Sequence, residues 1–236
     1  MTYWVGTSGY NYHEWKGSFY PEDLSDKQML PYYGNQFTSV EINYTFYRMP
    51  TARILANWAR STPEKFRFAL KAPRRITHDQ RLRSIEDTLA SFCEVAETLG
   101  EKLGPLLFQL PPFLKKDVEL LEVFLHDLPP GVQPAVEFRH ASWHSDDTYE
   151  VLRRFGVALC IADSEERTTP FEATAPFGYL RLRRAAYGDE DLQLWKERIA
   201  AAGWRDVVVY FKHEERGTGP QYAARFVSLL DPEGGS

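Results

Sequence analysis

Eight short apolar segments, most of them followed by a stretch with helical spacing, constrain the fold of this chain more than any other feature. In the second segment, apolar Val40 and Ile42 alternate with polar Glu41 and Asn43, which is typical of a β-strand. Strands that alternate with helices pair in parallel, and eight such units in 236 residues suit a closed barrel. The eight predicted strands cover residues 3–7, 39–43, 66–71, 106–110, 134–138, 157–162, 178–182 and 207–211.

We therefore predict an α/β fold, a (β/α)8 TIM-type barrel, as a single domain over residues 1–236 with a frayed tail from about residue 231. An aromatic loop is expected at residues 44–47, directly after the second strand. An open doubly wound sheet is the alternative. Against it, the first turn T-S-G-Y-N-Y has one glycine where the dinucleotide fingerprint G-x-G-x-x-G needs three.

Composition and charge limit the classes of partner. The net charge of −5 does not favour binding to nucleic acid or to an acidic membrane, although local clusters of cations could override it. Cys93 and Cys160 lie in apolar stretches without paired spacing, so we expect buried free thiols. The first residues lack a secretion signal, and no apolar run approaches the ~20 residues that span a bilayer. We expect a soluble cytoplasmic protein with no membrane partner; the sequence does not indicate its oligomeric state.

Charged and amide side chains stand at the ends of most predicted strands. In a barrel these ends meet at one face, where active sites lie. Period-two spacing puts Glu137 with Arg139 on one face of a strand, and Arg181 with Arg183 on one face of another. The predicted catalytic residues are Glu41, Glu137, Asp163 and His213. The predicted substrate-binding residues are Asn43, Lys71, Gln109, Arg139, Arg181 and Arg183.

This set has a basic rim and an acidic floor. Arginine forks match phosphate or carboxylate geometry, so the rim suits an anionic ligand. The carboxylates could hold a divalent cation or act as acid and base, and no cofactor or metal ligand is assigned. A structural alternative is that the charges only neutralise each other, Glu41 with Lys71 or Glu137 with Arg139.

Histidines and short motifs exclude several kinds of chemistry. No H-E-x-x-H is present, and the spacing of His140 and His144 in a predicted loop does not suit a zinc site. His213 is the preferred proton-transfer histidine, with a solvent-exposed loop residue as the alternative. The absence of G-x-S-x-G and of G-K-[ST] disfavours esterase and NTPase chemistry.

Several segments carry a resemblance to a known family: V-G-T-S-G-Y, V-E-I-N-Y-T-F-Y, F-A-L-K-A-P-R-R-I-T-H, V-E-F-R-H-A-S-W and Y-L-R-L-R. Together they resemble the YecE-like family, also called domain of unknown function 72 (DUF72), over nearly the whole chain. The resemblance implies a (β/α)8 barrel and no settled activity. By fold-level analogy the family has been likened to barrel endonucleases that cut at abasic sites.

The resemblance also adds His78 and Trp143 to the substrate-binding residues. Two departures stand out: Arg183 takes the place of a histidine usual in the family's seventh strand, and Lys212-His213 follow Phe211 where asparagines are usual. If the chemistry needs those residues, this chain differs in substrate or is inactive. The polar strand-end positions of the family fall on Glu41, Asn43, Lys71, Thr77, His78, Gln109, Glu137, Arg139, Trp143 and Arg181.

The leading hypothesis is a barrel that binds a phosphorylated small molecule or nucleic acid, and in its stronger form a metal-assisted phosphoester hydrolase or nuclease. Two alternatives stay open. One is a sugar isomerase or glycosidase, which needs two suitably spaced carboxyl groups. The other is a non-catalytic binding module for an anionic metabolite or nucleic acid, whose DNA binding would fall steeply with salt.

Overall fold

A closed sheet of eight parallel strands forms the centre of the computed structural model, which describes residues 1–213 and 217–230. Each strand pairs with the next, and the last pairs with the first. The strands are β1 Thr2–Ser8, β2 Ser39–Ile42, β3 Arg67–Lys71, β4 Leu103–Gln109, β5 Pro134–Glu137, β6 Ala158–Asp163, β7 Phe177–Leu182 and β8 Asp206–Phe211. The predicted (β/α)8 barrel is confirmed, and the open-sheet alternative is wrong. The predicted frayed tail lies outside the described residues.

Helices cover the outside of this sheet. They are α1 Asp26–Gln36, α2 Tyr44–Tyr47, α3 Ala52–Arg60, α4 Glu86–Ala96, α5 Val118–His126, α6 Asp146–Phe155, α7 Asp189–Ala201 and α8 Thr218–Leu230. The aromatic loop predicted at residues 44–47 is in fact the one-turn helix α2. Within the described residues, none of these helices combines the length and apolar character needed to cross a membrane.

The two faces of the sheet bury different side chains. Outward-facing residues such as Phe68 and Val209 pack into the larger core under the helices. Inward-facing residues such as Ala69, Tyr179 and Tyr210 form a second core inside the barrel. Because side chains alternate along a strand, the inward series continues to the polar residues at the strand ends.

Two tyrosines and a serine fill the layer directly below those strand ends. The hydroxyls of Ser39 and Tyr210 lie 2.6 Å apart, and the rings of Tyr179 and Tyr210 have centroids 5.6 Å apart. Cys160 faces the same layer, where burial raises the pKa of its thiol well above the usual value. Cys93 and Cys160 are both buried free thiols, as predicted. The polar strand ends therefore rest on a packed floor.

The close approach of β1 and β2 requires glycine at position 6. A Cβ there would lie 1.8 Å from the Ser39 carbonyl oxygen and 2.6 Å from the Tyr33 hydroxyl. That hydroxyl accepts a 2.7 Å hydrogen bond from the Thr7 amide and donates to the Ser39 carbonyl at 3.1 Å, which ties α1 to the barrel.

Gly6→Ala is therefore expected to destabilise the fold by about 3 kcal/mol or more, at the upper end of overpacking effects, because the clash is with backbone. Gly188→Ala is the matched control, since its nearest contact would be Asp191 at an ordinary 3.5 Å; its cost should stay below about 1 kcal/mol. Urea unfolding measures both. Equal midpoints for the two variants would contradict the close packing of β1 on β2.

Candidate functional site

One buried arginine joins two buried carboxylates at the C-terminal end of the barrel. Arg181 on β7 is only 2% exposed and lies between Glu41 of β2 and Glu137 of β5. Its Nε lies 2.9 Å from Glu41 Oε2, and its Nη2 donates to Glu41 Oε1 at 2.9 Å. Its Nη1 donates to Glu137 Oε2 at 2.5 Å. A single guanidinium thus engages both carboxylates.

Neutral hydrogen-bonding groups extend this arrangement on both sides. Ser8 donates to Glu41, and Asn43 Nδ2 donates to the Ser8 hydroxyl at 2.8 Å. On the other side, Gln109 Nε2 donates to Glu137 at 2.8 Å, and Lys71 Nζ donates to Gln109 Oε1 at 2.8 Å. We call the following set the mouth cluster: Ser8, Glu41, Asn43, Lys71, Gln109, Glu137 and Arg181.

Arg181 keeps both carboxylates ionised. Burial alone raises the pKa of a carboxyl, but the charges of Arg181 and Arg183 and the hydrogen bond from Gln109 outweigh it and hold the pKa of Glu137 at about 2. The pKa of Glu41 is also lowered, since the charge of Arg181 and several hydrogen bonds outweigh burial. Neither group is protonated near neutral pH.

Arg183 leaves two buried polar atoms without hydrogen bonds. Its Nη2 lies 3.5 Å from Glu137 Oε1, too far apart for a good hydrogen bond. Arg183 Nε and Glu137 Oε1 are both buried without a hydrogen-bond partner among the described residues. Such groups cost about 1–3 kcal/mol when left unsatisfied, so this is a place where a ligand or water would bind favourably.

Lys71 lies at the edge of the cluster among other cations. Its ammonium is 4.0 Å from the centre of the Phe46 ring. Burial, and then the charges of Arg181 and Lys212, lower the pKa of Lys71 to about 8, although the carboxylates of the cluster act in the opposite direction. Lys71 forms no ion pair with the parts of the chain that the structure describes.

His78 and Arg139 lie on the same side of the mouth. The His78 ring meets the Phe46 ring edge-on, with centroids 4.9 Å apart. Burial, and then the charges of Lys71, Arg74 and Arg139, lower the pKa of His78, so the imidazole is neutral at pH 7. The guanidinium of Arg139 makes no ion pair or hydrogen bond within residues 1–213 and 217–230, while its carbonyl accepts a hydrogen bond from Arg167.

Asp163 lies outside the mouth cluster. It ends β6 on the outward face, where it accepts hydrogen bonds from Arg184 at 2.9 Å, Tyr187 at 3.0 Å and Thr168 at 2.6 Å. The inward position at this level of β6 belongs to Ala162, which is paired with Arg181.

His213 and Trp143 also lie outside the cluster. The imidazole of His213 contacts the Arg184 carbonyl through Nε2 and packs against the ring of Tyr222. Burial lowers the pKa of His213, which is half-buried and not a solvent-exposed loop residue. Trp143 is fully buried; it stacks on Phe138 at 4.6 Å and donates to the Leu114 carbonyl at 2.8 Å.

The ion pairs differ from those expected. The structural alternative named Glu41 with Lys71 or Glu137 with Arg139, and neither pair forms. Both carboxylates are nevertheless ion-paired, as that alternative expected, and Arg181 is the cation for both. Tyr179 was missed, although its hydroxyl donates to Glu41 at 2.7 Å. The sequence could have predicted this residue, because period-two spacing in the segment Y-L-R-L-R places Tyr179 on the same strand face as Arg181.

The described part of the chain contains no cluster of side chains suited to bind a metal ion. Among residues 1–213 and 217–230, no group of three or more His, Cys, Asp or Glu side chains is arranged to hold a metal ion.

Comparison with known proteins places this chain among proteins of undefined activity. The family model described as "Protein of unknown function DUF72" matches residues 4–235. The UPF0759 protein YunF of Bacillus subtilis is 26% identical over 98% of this chain and 95% of its own length. The UPF0759 protein YecE of Escherichia coli is 31% identical over 62% of this chain and 55% of its own length.

Solved structures agree in fold. The crystal structure of a DUF72 family protein from Thermotoga maritima has a TM-score of 0.84 and 29% identity, and the match covers 98% of this chain and all of that one. The crystal structure of a DUF72 family protein from Enterococcus faecalis has a TM-score of 0.83 and 20% identity, and the match covers 98% of this chain and 96% of that one. At this identity the likeness supports the fold alone.

Arg181→Met is expected to lower the free energy of unfolding by about 3–5 kcal/mol, because it leaves two ionised carboxylates buried without their counter-ion. Arg225→Met is the matched control. It removes an exposed arginine whose partner is the exposed Asp189, and such surface pairs contribute less than about 1 kcal/mol. Urea unfolding at pH 7 tests both, and a loss below 1 kcal/mol for Arg181→Met would contradict the role assigned to it.

The low pKa of Glu137 predicts an acid dependence of stability. Because the folded-state pKa is about 2 against an ordinary value of 4.5, this carboxylate stabilises the fold above pH 4.5, and the contribution is lost as the pH falls towards 2. Glu137→Gln should therefore be less stable than the natural protein at pH 7, with the difference shrinking between pH 4.5 and 2. Urea unfolding across this range measures it; a constant difference would show that Glu137 is not held ionised by its neighbours.

Proposed function

The chain belongs to the DUF72 family of proteins of unknown function, and we propose that it binds a phosphorylated or otherwise anionic ligand at the C-terminal mouth of its barrel. One observation carries the proposal. A single guanidinium, Arg181, forms ion pairs with both carboxylates of the mouth cluster. The positive charges of Lys71 and Arg139 are therefore left without a carboxylate partner among the described residues, at the place where barrel sites lie.

The lowered pKa of Lys71 supports an anion as the missing partner. Burial and the neighbouring cations Arg181 and Lys212 disfavour the charged form of this amine. A bound anion would act in the opposite sense and raise the pKa of Lys71. By linkage, the ligand should bind more tightly at pH 7 than at pH 9, where the free protein's lysine is mostly neutral.

The geometry of Arg183 supports a phosphate group as the part of the ligand that the site binds. Its buried Nε has an unused donor, and its Nη2 makes only a long contact with Glu137. A guanidinium presents its donors as a rigid planar fork that fits two oxygens of a phosphate or carboxylate. An anion at the mouth would accept a hydrogen bond from the buried donor of Arg183 and offset the uncompensated positive charge of Lys71.

Hydrolysis of a phosphoester is the stronger form of this proposal and has less support. It requires a group that activates water, such as a metal ion or a general base. Glu41 and Glu137 are ionised but both are engaged by Arg181. Ligand binding needs only the cations that the site already presents, so a binding module fits the geometry more directly than a metal-assisted hydrolase or nuclease.

Glycoside cleavage is less consistent with the same contacts. A glycosidase needs one protonated carboxylic acid beside a second carboxylate. Here the charge of Arg181 lowers the pKa of both Glu41 and Glu137, so neither is available as the acid near neutral pH.

Binding of inorganic phosphate, measured by titration calorimetry, tests the proposal. Lys71→Met and Arg183→Met should each weaken binding about tenfold or more, because a hydrogen bond to a charged group contributes about 1.5–3 kcal/mol. Lys65→Met is the matched control: it removes the same charge from an exposed position just before β3, whereas Lys71 ends that strand. Unchanged affinity in both mouth variants, or equal loss in Lys65→Met, would contradict the proposed site.

The source of the phosphate is distinguished by parallel titrations with ribose 5-phosphate and with a single-stranded DNA oligonucleotide. Binding that falls steeply with salt and prefers the oligonucleotide would identify nucleic acid as the ligand. Release of inorganic phosphate from ribose 5-phosphate, with and without added Mg²⁺ or Mn²⁺, separates a hydrolase from a binding module.

A further inference from the structure

We propose that Lys71 is a nucleophilic amine that forms an imine with the carbonyl group of a phosphorylated aldehyde or ketone held at the mouth of the barrel. The phosphate part of this inference rests on the function proposed above. The covalent part depends on the surroundings of the amine itself.

Lys71 has the position of a reactive amine. Its side chain is half-buried at the inward-facing end of β3, at the end of the barrel where substrates meet protein groups. Its Nζ is oriented by the neutral oxygen of Gln109, at 2.8 Å, and by the ring of Phe46, at 4.0 Å. A lysine in contact with a carboxylate is held as the ammonium ion, and this one has no such contact within the described residues.

The charges around the amine favour its neutral form. Burial lowers the pKa of Lys71 most, and the positive charges of Arg181 and Lys212 lower it further. The negative charges of Glu41 and Glu137 raise it. The resulting pKa of about 8 leaves a useful fraction of free amine near neutral pH in the unliganded protein. A bound phosphate raises this pKa, and the imine then forms from the smaller neutral fraction. Desolvation and a nearby cation are the two means by which proteins activate a lysine as a nucleophile.

His78 supplies a group that can carry protons during the reaction. It contacts the same Phe46 ring as Lys71 and responds to the charge of that lysine. The charges of Arg74 and Arg139 also lower the pKa of His78, and the charge of Asp79 raises it. The net effect is a lowered pKa, so the imidazole is neutral at pH 7. Its Nδ1 lies 2.8 Å from the Thr77 hydroxyl, which orients the ring.

The proposed step balances without any oxidant or reductant. The lone pair of neutral Lys71 Nζ attacks the carbonyl carbon, a C–N bond forms, and the C–O π electrons move to oxygen. A proton passes from nitrogen to that oxygen and gives a carbinolamine. His78 takes up a proton from solvent and passes it to the hydroxyl, and the nitrogen lone pair then expels water and forms the C=N bond. The proton left on nitrogen returns to His78, so the net change is the loss of one water molecule.

The phosphate of the substrate would be bound by other cations at the mouth of the barrel. Arg183 offers a buried unused donor, and Arg139 has no ion pair within the described residues. A phosphate bound there would restrict the carbonyl group to the mouth where Lys71 lies, and such positioning accounts for a large part of catalysis.

Borohydride trapping tests this inference. The intact protein is incubated at pH 7.5 with glycolaldehyde phosphate and sodium borohydride, which reduces an imine to a stable secondary amine. The modified lysines are then identified by peptide mass spectrometry. Lys71 should be labelled at least tenfold faster than the exposed Lys65, and Lys71→Met should lose this label while Lys65→Met keeps it. Circular dichroism and the urea midpoint confirm that each variant is folded.

The outcomes separate the two proposals. No preferential label at Lys71 in a protein that still binds inorganic phosphate would overturn the imine and leave the proposed function standing. Equal labelling of Lys71 by glycolaldehyde and by glycolaldehyde phosphate would support the reactive amine and contradict phosphate recognition. Labelling of Lys71 and Lys65 at the same rate would overturn the imine.

Discussion

The contact between Arg181 and the two carboxylates of Glu41 and Glu137 is the interaction on which the rest of the site depends. All three side chains are almost completely buried, and an isolated charge in such a place costs several kcal/mol. The arrangement is stable only because each partner sits on a different strand of a closed barrel. β2, β5 and β7 bring their inward-facing ends to one place, and an open sheet would leave them apart.

This contact also determines what the site offers to a ligand. Arg181 pairs with both carboxylates and balances one of their two negative charges, and the positive charges of Lys71, Arg139 and Arg183 outnumber the one that remains. Burial, and then the positive charge of its neighbours, lowers the pKa of Lys71, and Arg183 has a buried donor without a hydrogen bond. The relatives of this chain share its barrel but carry no assigned activity in their names, so the chemistry has to be inferred from these contacts.

The direction of each strand-end side chain decided which predicted residues joined the cluster. Glu41, Glu137 and Arg181 face inward, whereas Asp163 faces outward and binds Arg184 and Tyr187. A shift of one residue along a strand moves a side chain to the other face of the sheet. The sequence pattern located the end of β6 correctly, but it could not tell whether Ala162 or Asp163 would point into the barrel.

The sequence by itself determined the number of strands, their approximate bounds and the closed barrel, because apolar period-two segments separated by helices leave few other ways to bury their faces. It also indicated that Glu41, Lys71, Glu137 and Arg181 would gather at one end, since parallel strands all finish there. Only the tertiary structure decided that Arg181, and not Lys71 or Arg139, pairs with both carboxylates. That choice depends on the reach and direction of side chains across the barrel, and these distances follow from the closure of the sheet and not from any local pattern.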